Sequence, residues 1–225
     1  MPPTPPEPAA VLARPHTAEQ WLYRQLVRLS ACIAHETQTR GGVLLHSGLA
    51  AHPESSGSQY PAGLRGFLLA GRSGVGKSTA AGRLPSPWRV LADDETLVVR
   101  DERGRYWAHP WITWSRLCGR EKGDGRDTWD AQRAVPLRAI FVLEQGEKDL
   151  VEPLGPGHAA ALLTELAKQT ALDFLRGLPL ERTAAFNLQR FKNVCALVRA
   201  VPTFTLYVSR HGAFWEEIAR VMSWG

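Results

Sequence analysis

The run Gly71-Arg72-Ser73-Gly74-Val75-Gly76-Lys77-Ser78-Thr79 matches the pattern G-x-x-x-x-G-K-[ST], with an additional glycine at Gly74. Glycines let the backbone curl so that successive N–H groups point inward at phosphate oxygens. A lysine at this position reaches the β and γ phosphates, and the hydroxyl after it can ligate Mg²⁺. The whole run is therefore a candidate nucleotide-binding loop, with Lys77 as its phosphate cation and Ser78 as its metal hydroxyl. Downstream, RVLADDETLVV sets Asp93 and Asp94 side by side at the end of an apolar segment. One carboxylate suffices for Mg²⁺. A kinase has a second task, which is to hold an acceptor hydroxyl in line with the γ phosphate and take its proton. Neighbouring aspartates can divide these tasks, one facing the metal and the other the hydroxyl, and their titration then belongs to the pair. The alternative for one of them is a plain surface turn.

The elements around these residues have the order that phosphate chemistry requires. GFLLA reads as a strand leading into the loop, and STAAGRL as a short helix ended by Pro85. GGVLLHSGLAA is a further strand expectation, and LRGFLLA follows it after the polar loop HPESSGSQYPAG. ETLVVRDERGRYWAHP predicts a hairpin turning near Arg103 and Gly104, CGREKGDGRDTWDAQ a polar loop, and PLRAIFVLEQG a strand. Helical spacing covers Gly157 to about Arg176 and Glu181 to about Ala200; TFTLYVS then reads as a strand and AFWEEIARVMSW as a closing helix. Near the start, Thr17 and Gln20 stand at capping-box spacing, and Trp21, Leu22, Leu26, Leu29 and Ile33 recur at helical intervals. That helix either covers a core or docks a partner. The pattern as a whole predicts residues 1–16 as a Pro-rich flexible tail and 17–225 as one α/β domain with a mixed sheet.

Composition narrows the function classes. The chain of 225 residues is 44% hydrophobic, ample for a core, and its net charge of +5 rests mainly on arginine, which favours an anionic partner such as a nucleotide or acidic peptide. No dense basic stripe with interleaved aromatics marks a nucleic-acid surface. No apolar run nears the ~18 residues of a membrane span, and the first residues lack a secretory pattern, so no membrane association and a cytoplasmic location are expected. Cys32, Cys118 and Cys195 are spaced for neither zinc nor redox chemistry and are expected to be reduced, mostly core thiols.

GFLLAGRSGVGKST followed by VLADDETLVV resembles the HPr kinase/phosphorylase family, whose catalytic domain shares its nucleotide core with phosphoenolpyruvate carboxykinases. The family carries a histidine ahead of the loop, and LLHSGLA supplies His46 in a similar place. VPLRAIFVLEQ and VPTFTLYVSRHGAFWEEI also resemble small HPr-kinase-like proteins of peptide-modification cassettes, the SynChlorMet type among them. The specific likeness spans residues 42 to 99. It implies an HPr kinase-like P-loop fold, with Asp93 as proton acceptor for the substrate hydroxyl, Asp94 beside it near the metal, and His46 lining the same pocket. A lone histidine on an apolar segment otherwise reads as a satisfied core residue. The family's glutamate- and glycine-rich signature after the aspartates has no counterpart, and RYWAHPWITWSRL stands there instead.

These readings converge on an ATP- and Mg²⁺-dependent kinase that phosphorylates a hydroxyl, foremost a serine of a peptide or small protein. Two alternatives stay open: a small-molecule kinase, and a nucleotide-binding accessory subunit that switches docking without transfer. The family resemblance also permits homo-oligomers. His109, Trp111, Trp114 and Arg116 stand as candidates for a replacement acceptor or base-stacking wall, or for core, and Arg138 for a phosphate contact or a sheet-edge ion pair.

Overall fold

The computed structural model describes residues 18–53, 63–111, 129–171, 175 and 179–222, with the side chains at 18–20, 23, 26 and 27 left aside. Along these residues five helices and eight strands follow in the order α1 (Ala18–Thr39), β1 (Val43–Pro53), β2 (Leu64–Ala70), α2 (Lys77–Arg83), β3 (Arg89–Ala92), β4 (Glu95–Arg100), β5 (Tyr106–Pro110), β6 (Val135–Gln145), β7 (Leu150–Pro153), α3 (Pro156–Gln169), α4 (Leu180–Ala200), β8 (Thr203–Val208) and α5 (Phe214–Met222). The class is mixed α/β with a mixed sheet, as expected. The hairpin expected near Arg103 joins β4 to β5, its turn held by the Asp101 carboxylate, which accepts from the backbone N–H groups of Arg103 and Arg105.

β1 and β6 organise the sheet. Along one edge β1 pairs antiparallel with β2, from Ser47 opposite Ala70 to Pro53 opposite Leu64. Its other edge takes two strands end to end: Val43 to His46 pair with β4, and Leu49 to Ala51 pair with β3. β2 lies parallel to β6, β6 parallel to β8, and β7 closes the far edge against β8. Because β5 also pairs with the first residues of β6, at Trp107 with Pro136 and Ala108 with Val135, the hydrogen bonds run in a closed circuit β1-β4-β5-β6-β2. Closure leaves those strands fewer unpaired backbone groups.

Both faces of the sheet are covered. Side chains alternate across a strand, so Leu49, Leu68 and Ile140 join one cluster with Ala160, Leu163 and Leu166 of α3 and Val194 and Leu197 of α4. Phe67, Leu69, Phe141 and Leu206 point the other way, onto Ala80 and Ala81 of α2 and Phe214 and Ile218 of α5.

Two expectations need correction, and one strand was not anticipated. The buried face of α1 is not the stripe of Trp21, Leu22 and Leu29, which are exposed; Ser30, Ala31, Ala34, Thr37 and Gln38 face inward instead. Spacing located the helix but not its inner face, because small and amide side chains allow close approach and hydrogen-bond the chain they meet. Gln38 Nε2 donates to the Phe186 carbonyl at 2.7 Å. Thr17 and the Leu26 side chain lie outside the described residues, as do Cys118, Trp114 and Arg116 and most of the polar loop. Secondly, Cys32 is exposed and is not a core thiol, whereas Cys195 is half-buried and packs against the main core cluster. The strand β7 had no sequence signal: Leu150–Pro153 is a short edge strand with one buried residue, Val151, too brief to alternate.

Asn193 ties α4 to the turn between α1 and β1. It is buried, its Nδ2 donates to the carbonyls of Gln38 at 2.7 Å and Gly42 at 3.0 Å, and its Oδ1 accepts from Gln189. Truncation removes the side-chain donor from both carbonyls; that of Gln38 keeps the Gly41 N–H at 3.2 Å, whereas that of Gly42 loses its side-chain partner. Asn193→Ala is expected to lower stability by about 2 kcal/mol, read from the urea midpoint at unchanged slope.

Candidate functional site

β2 ends at Ala70, opposite Ser47, so the glycine loop begins beside His46 on the neighbouring strand. Gly74 and Gly76 have φ of 81° and 108°, values that strain any L side chain, and they turn the chain back into α2. α2 opens with Lys77. Its ammonium is buried, the residue only 6% exposed, and it donates to the carbonyls of Gly71 at 2.9 Å and Arg72 at 3.1 Å. The third contact is His46 Nε2 at 3.1 Å.

That contact sets the histidine tautomer. An ammonium only donates, so Nε2 must offer its lone pair and the ring proton must sit on Nδ1. Nδ1 lies 3.2 Å from Asp94 Oδ1 and donates to it. Lys77, His46 and Asp94 thus form one hydrogen-bonded chain. Burial pushes the lysine down from its ordinary pKa, and Asp94 opposes this. The His46 hydrogen bond holds the Asp94 carboxyl below the usual range against its partial burial, assisted by the charge of Lys77.

Asp93 and Asp94 occupy the break between β3 and β4, which otherwise run as one interrupted strand along β1. Opposite them β1 presents Ser47 and Gly48. A Cβ on Gly48 would lie 3.2 Å from the Ala92 carbonyl and 3.6 Å from Asp93 Cα, so the glycine permits the close approach of the aspartate segment. The two aspartates then diverge. Asp94 keeps a side chain 49% exposed. Asp93 is 7% exposed, and its Oδ1 accepts from Trp129 Nε1 at 3.1 Å.

Glu95, first residue of β4, extends the carboxylates into the interior. Ser30 of α1 donates its hydroxyl to Glu95 Oε2 at 3.2 Å, and Trp111 Nε1 donates to Ser30 Oγ at 2.7 Å. Burial, with the neighbouring Asp94 charge, raises the Glu95 carboxyl to about 7; the Ser30 hydrogen bond opposes them.

The structure therefore joins three of the expected site residues, Lys77, His46 and Asp94, and sets Asp93 in a separate, more enclosed contact. Ser78 and Thr79 are exposed in the first turn of α2, and Arg72, Ser73 and Gly74 are exposed in the loop. Trp111 is buried against Ala34 and Leu44, a core position rather than a stacking wall. His109 Nδ1 lies 3.2 Å from the Ala131 carbonyl, and Arg138 is half-buried on β6. Trp129 and Glu95 were not singled out in the sequence. A lone tryptophan inside the polar run RDTWDAQ was the available signal for the first; nothing local marks the second.

The site residues present suit a magnesium nucleotide. Mg²⁺ takes hard oxygens, often one or two from protein and the rest from phosphates and water; the exposed Ser78 hydroxyl and the ionised, half-exposed Asp94 carboxylate are such donors. Among the described residues no group of three or more His, Cys, Asp or Glu side chains is arranged to hold a metal ion. Nor is any helix among them long and apolar enough to cross a membrane.

The raised Glu95 pKa carries a sign. The folded chain binds that proton more tightly than the unfolded chain, whose carboxyl titrates near 4.5, so stability is expected to fall as pH rises from 4.5 through about 7. Glu95→Gln should flatten this decline, measured by urea unfolding across the range at constant ionic strength. An unchanged slope would remove Glu95 as its source.

A comparison with curated proteins finds no match. The family model described as SynChlorMet cassette protein ScmC matches residues 13–223, a span that takes in every element from α1 to α5. With the loop, the histidine and the paired aspartates all inside that span, the chain belongs to the SynChlorMet cassette protein ScmC family.

Proposed function

We propose that this chain is an ATP- and Mg²⁺-dependent kinase with an HPr kinase-like nucleotide core, transferring the γ-phosphoryl group to a hydroxyl, foremost a serine of a peptide or small protein handled by its cassette. One observation carries the reading: the loop lysine is joined through His46 to Asp94, which brings a phosphate cation, a histidine and a carboxylate together. A glycine turn without a ligand has no need of that convergence.

Lys77 holds its ammonium on two loop carbonyls and a histidine. Phosphate oxygens are stronger acceptors than carbonyls, since charge-assisted hydrogen bonds to an anion are shorter and about twice as strong. With a triphosphate on the loop, Lys77 would turn its ammonium to phosphate oxygens, and His46 Nε2 would be released as an acceptor. Ser78 and Asp94 would hold the metal, which neutralises charge on the β and γ phosphates.

Two groups can then take the acceptor proton. Asp93 is the family-based choice, with Trp129 fixing its carboxylate. His46 is the second, favoured by the Asp94 contact at Nδ1, which orients the ring as carboxylates do in histidine-based catalysis. Substitution separates them. Asp93→Asn loses phosphoryl transfer by ~10²-fold or more at retained ATP affinity if Asp93 is the base, whereas His46→Gln shows that pattern if the histidine is.

The decisive assay is incubation with γ-labelled ATP, Mg²⁺ and peptides encoded in the same cassette, followed by mass analysis for a phosphate adduct. Lys77→Ala is expected to abolish tight ATP binding and transfer, measured by calorimetry on protein with an unchanged thermal melt. Nucleotide binding with no transfer to any hydroxyl would favour the accessory switch, and transfer to free small molecules alone would favour a small-molecule kinase.

A further inference from the structure

Beside the glycine loop lies a cavity of about 360 Å³ between that loop, the end of β6 and α3, with no residue of β1 in its lining. Its position follows from strand order. β2 delivers the loop between β1, which carries His46, and β6, which ends at the cavity. A ligand with phosphates on the loop therefore has two directions in which to extend. One leads to the Lys77, His46 and Asp94 chain; the other leads into this cavity.

The lining selects what enters. Val75 of the loop, Val142 of β6 and Leu162 and Leu166 of α3 supply apolar surface fit for the faces of a flat ring. Arg72 places a cation at the loop end, Glu144 and Glu165 add two carboxylates, the latter 3.7 Å from the Lys168 ammonium, and Gln169 adds an amide that both donates and accepts. Carboxylates repel phosphate, so the charged part of a ligand is kept at the loop. They accept strongly from a neutral diol, and an amide can pair with the edge of a heterocyclic base. The volume lies within the range of small-molecule sites, about 300 to 1,000 Å³.

We infer that this cavity is the nucleoside subsite, with the ribose hydroxyls on Glu144 and Glu165 and the base between Val75 and the Leu162 and Leu166 side chains, its edge on Gln169. The inference rests on the loop being a nucleotide site, and it assigns direction: the γ phosphate points towards β1 and the nucleoside towards β6. Glu144 and Glu165 are exposed residues, so their substitution spares the core.

The test compares MgATP, Mg-2′-deoxy-ATP and magnesium tripolyphosphate by calorimetry on the full chain and on a Glu144→Ala, Glu165→Ala double variant, with a thermal melt for each protein. The wild type should bind ATP at least about tenfold more tightly than tripolyphosphate and should discriminate against the deoxy nucleotide. The variant should lose that discrimination and most of the advantage over tripolyphosphate, while its tripolyphosphate affinity is kept or rises, since two carboxylates that repel phosphate are gone. Equal affinity of the wild type for ATP and tripolyphosphate overturns the subsite and leaves the loop reading standing. Retention of the full ATP advantage in the variant also overturns it, as does a parallel loss of both ligands at an unchanged melt. If the wild type binds neither ligand, the loop reading itself falls and the subsite with it.

Discussion

A buried ammonium is the constraint on which this site turns. Removing a charge from water is costly unless its hydrogen-bonding capacity is met, and Lys77 meets it with two carbonyls of its own loop and one histidine from another strand. The loop carbonyls bind the curl of the loop to the start of α2. The antiparallel ladder of β1 with β2 brings His46 beside the loop, and Asp94 stands where it accepts the other ring N–H. Three segments distant in sequence are held together by the requirements of one cation. The ammonium is thus satisfied by groups of the chain itself.

The sheet supplies the geometry this chain of contacts needs. An uninterrupted strand along β1 would turn the Asp93 and Asp94 carboxylates to opposite faces of the sheet. The break between β3 and β4 instead lets each follow its own contact, one to Trp129 and the other to His46. Gly48 makes room for the break, and the Thr96 hydroxyl, donating to the Ser47 carbonyl at 3.0 Å, anchors its far side. Placing β2 between β1 and β6 puts the loop between the strand that carries His46 and the strand that ends at the cavity. Arg83 at the end of α2 donates to the carbonyls of Ser209 and Gly212, so the helix that carries Lys77 is also fastened to the segment before α5.

α1 is connected to the same residues through polar contacts. Ser30 stands between Trp111 and Glu95, and Glu95 adjoins Asp94 in the chain, so the helix reaches the carboxylates through the Ser30 hydroxyl, which Trp111 in turn holds. This explains a buried face rich in serine, alanine and glutamine. It also leaves Trp21, Leu22 and Leu29 on the outside of the helix, the reverse of a simple core-covering arrangement.

Much of the architecture was legible in local pattern, because strands, hairpin and helices are set by short-range periodicity and turn chemistry. LRGFLLA, PLRAIFVLEQG and TFTLYVS each formed the strand their apolar runs implied. The glycine loop was legible for the same reason, since its positive φ angles demand glycine at Gly74 and Gly76. Pairing was not. That His46 accepts from Lys77 while donating to Asp94, that Asp93 faces Trp129 instead, and that Glu95 lies against Ser30 depend on strand register across gaps of tens of residues, which adjacent residues do not encode. The sequence by itself determined which side chains with phosphate chemistry are present and which elements carry them. Only the tertiary structure decided their partners, because the acceptors that satisfy a buried charge come from whatever strands the closed hydrogen-bond circuit places beside it.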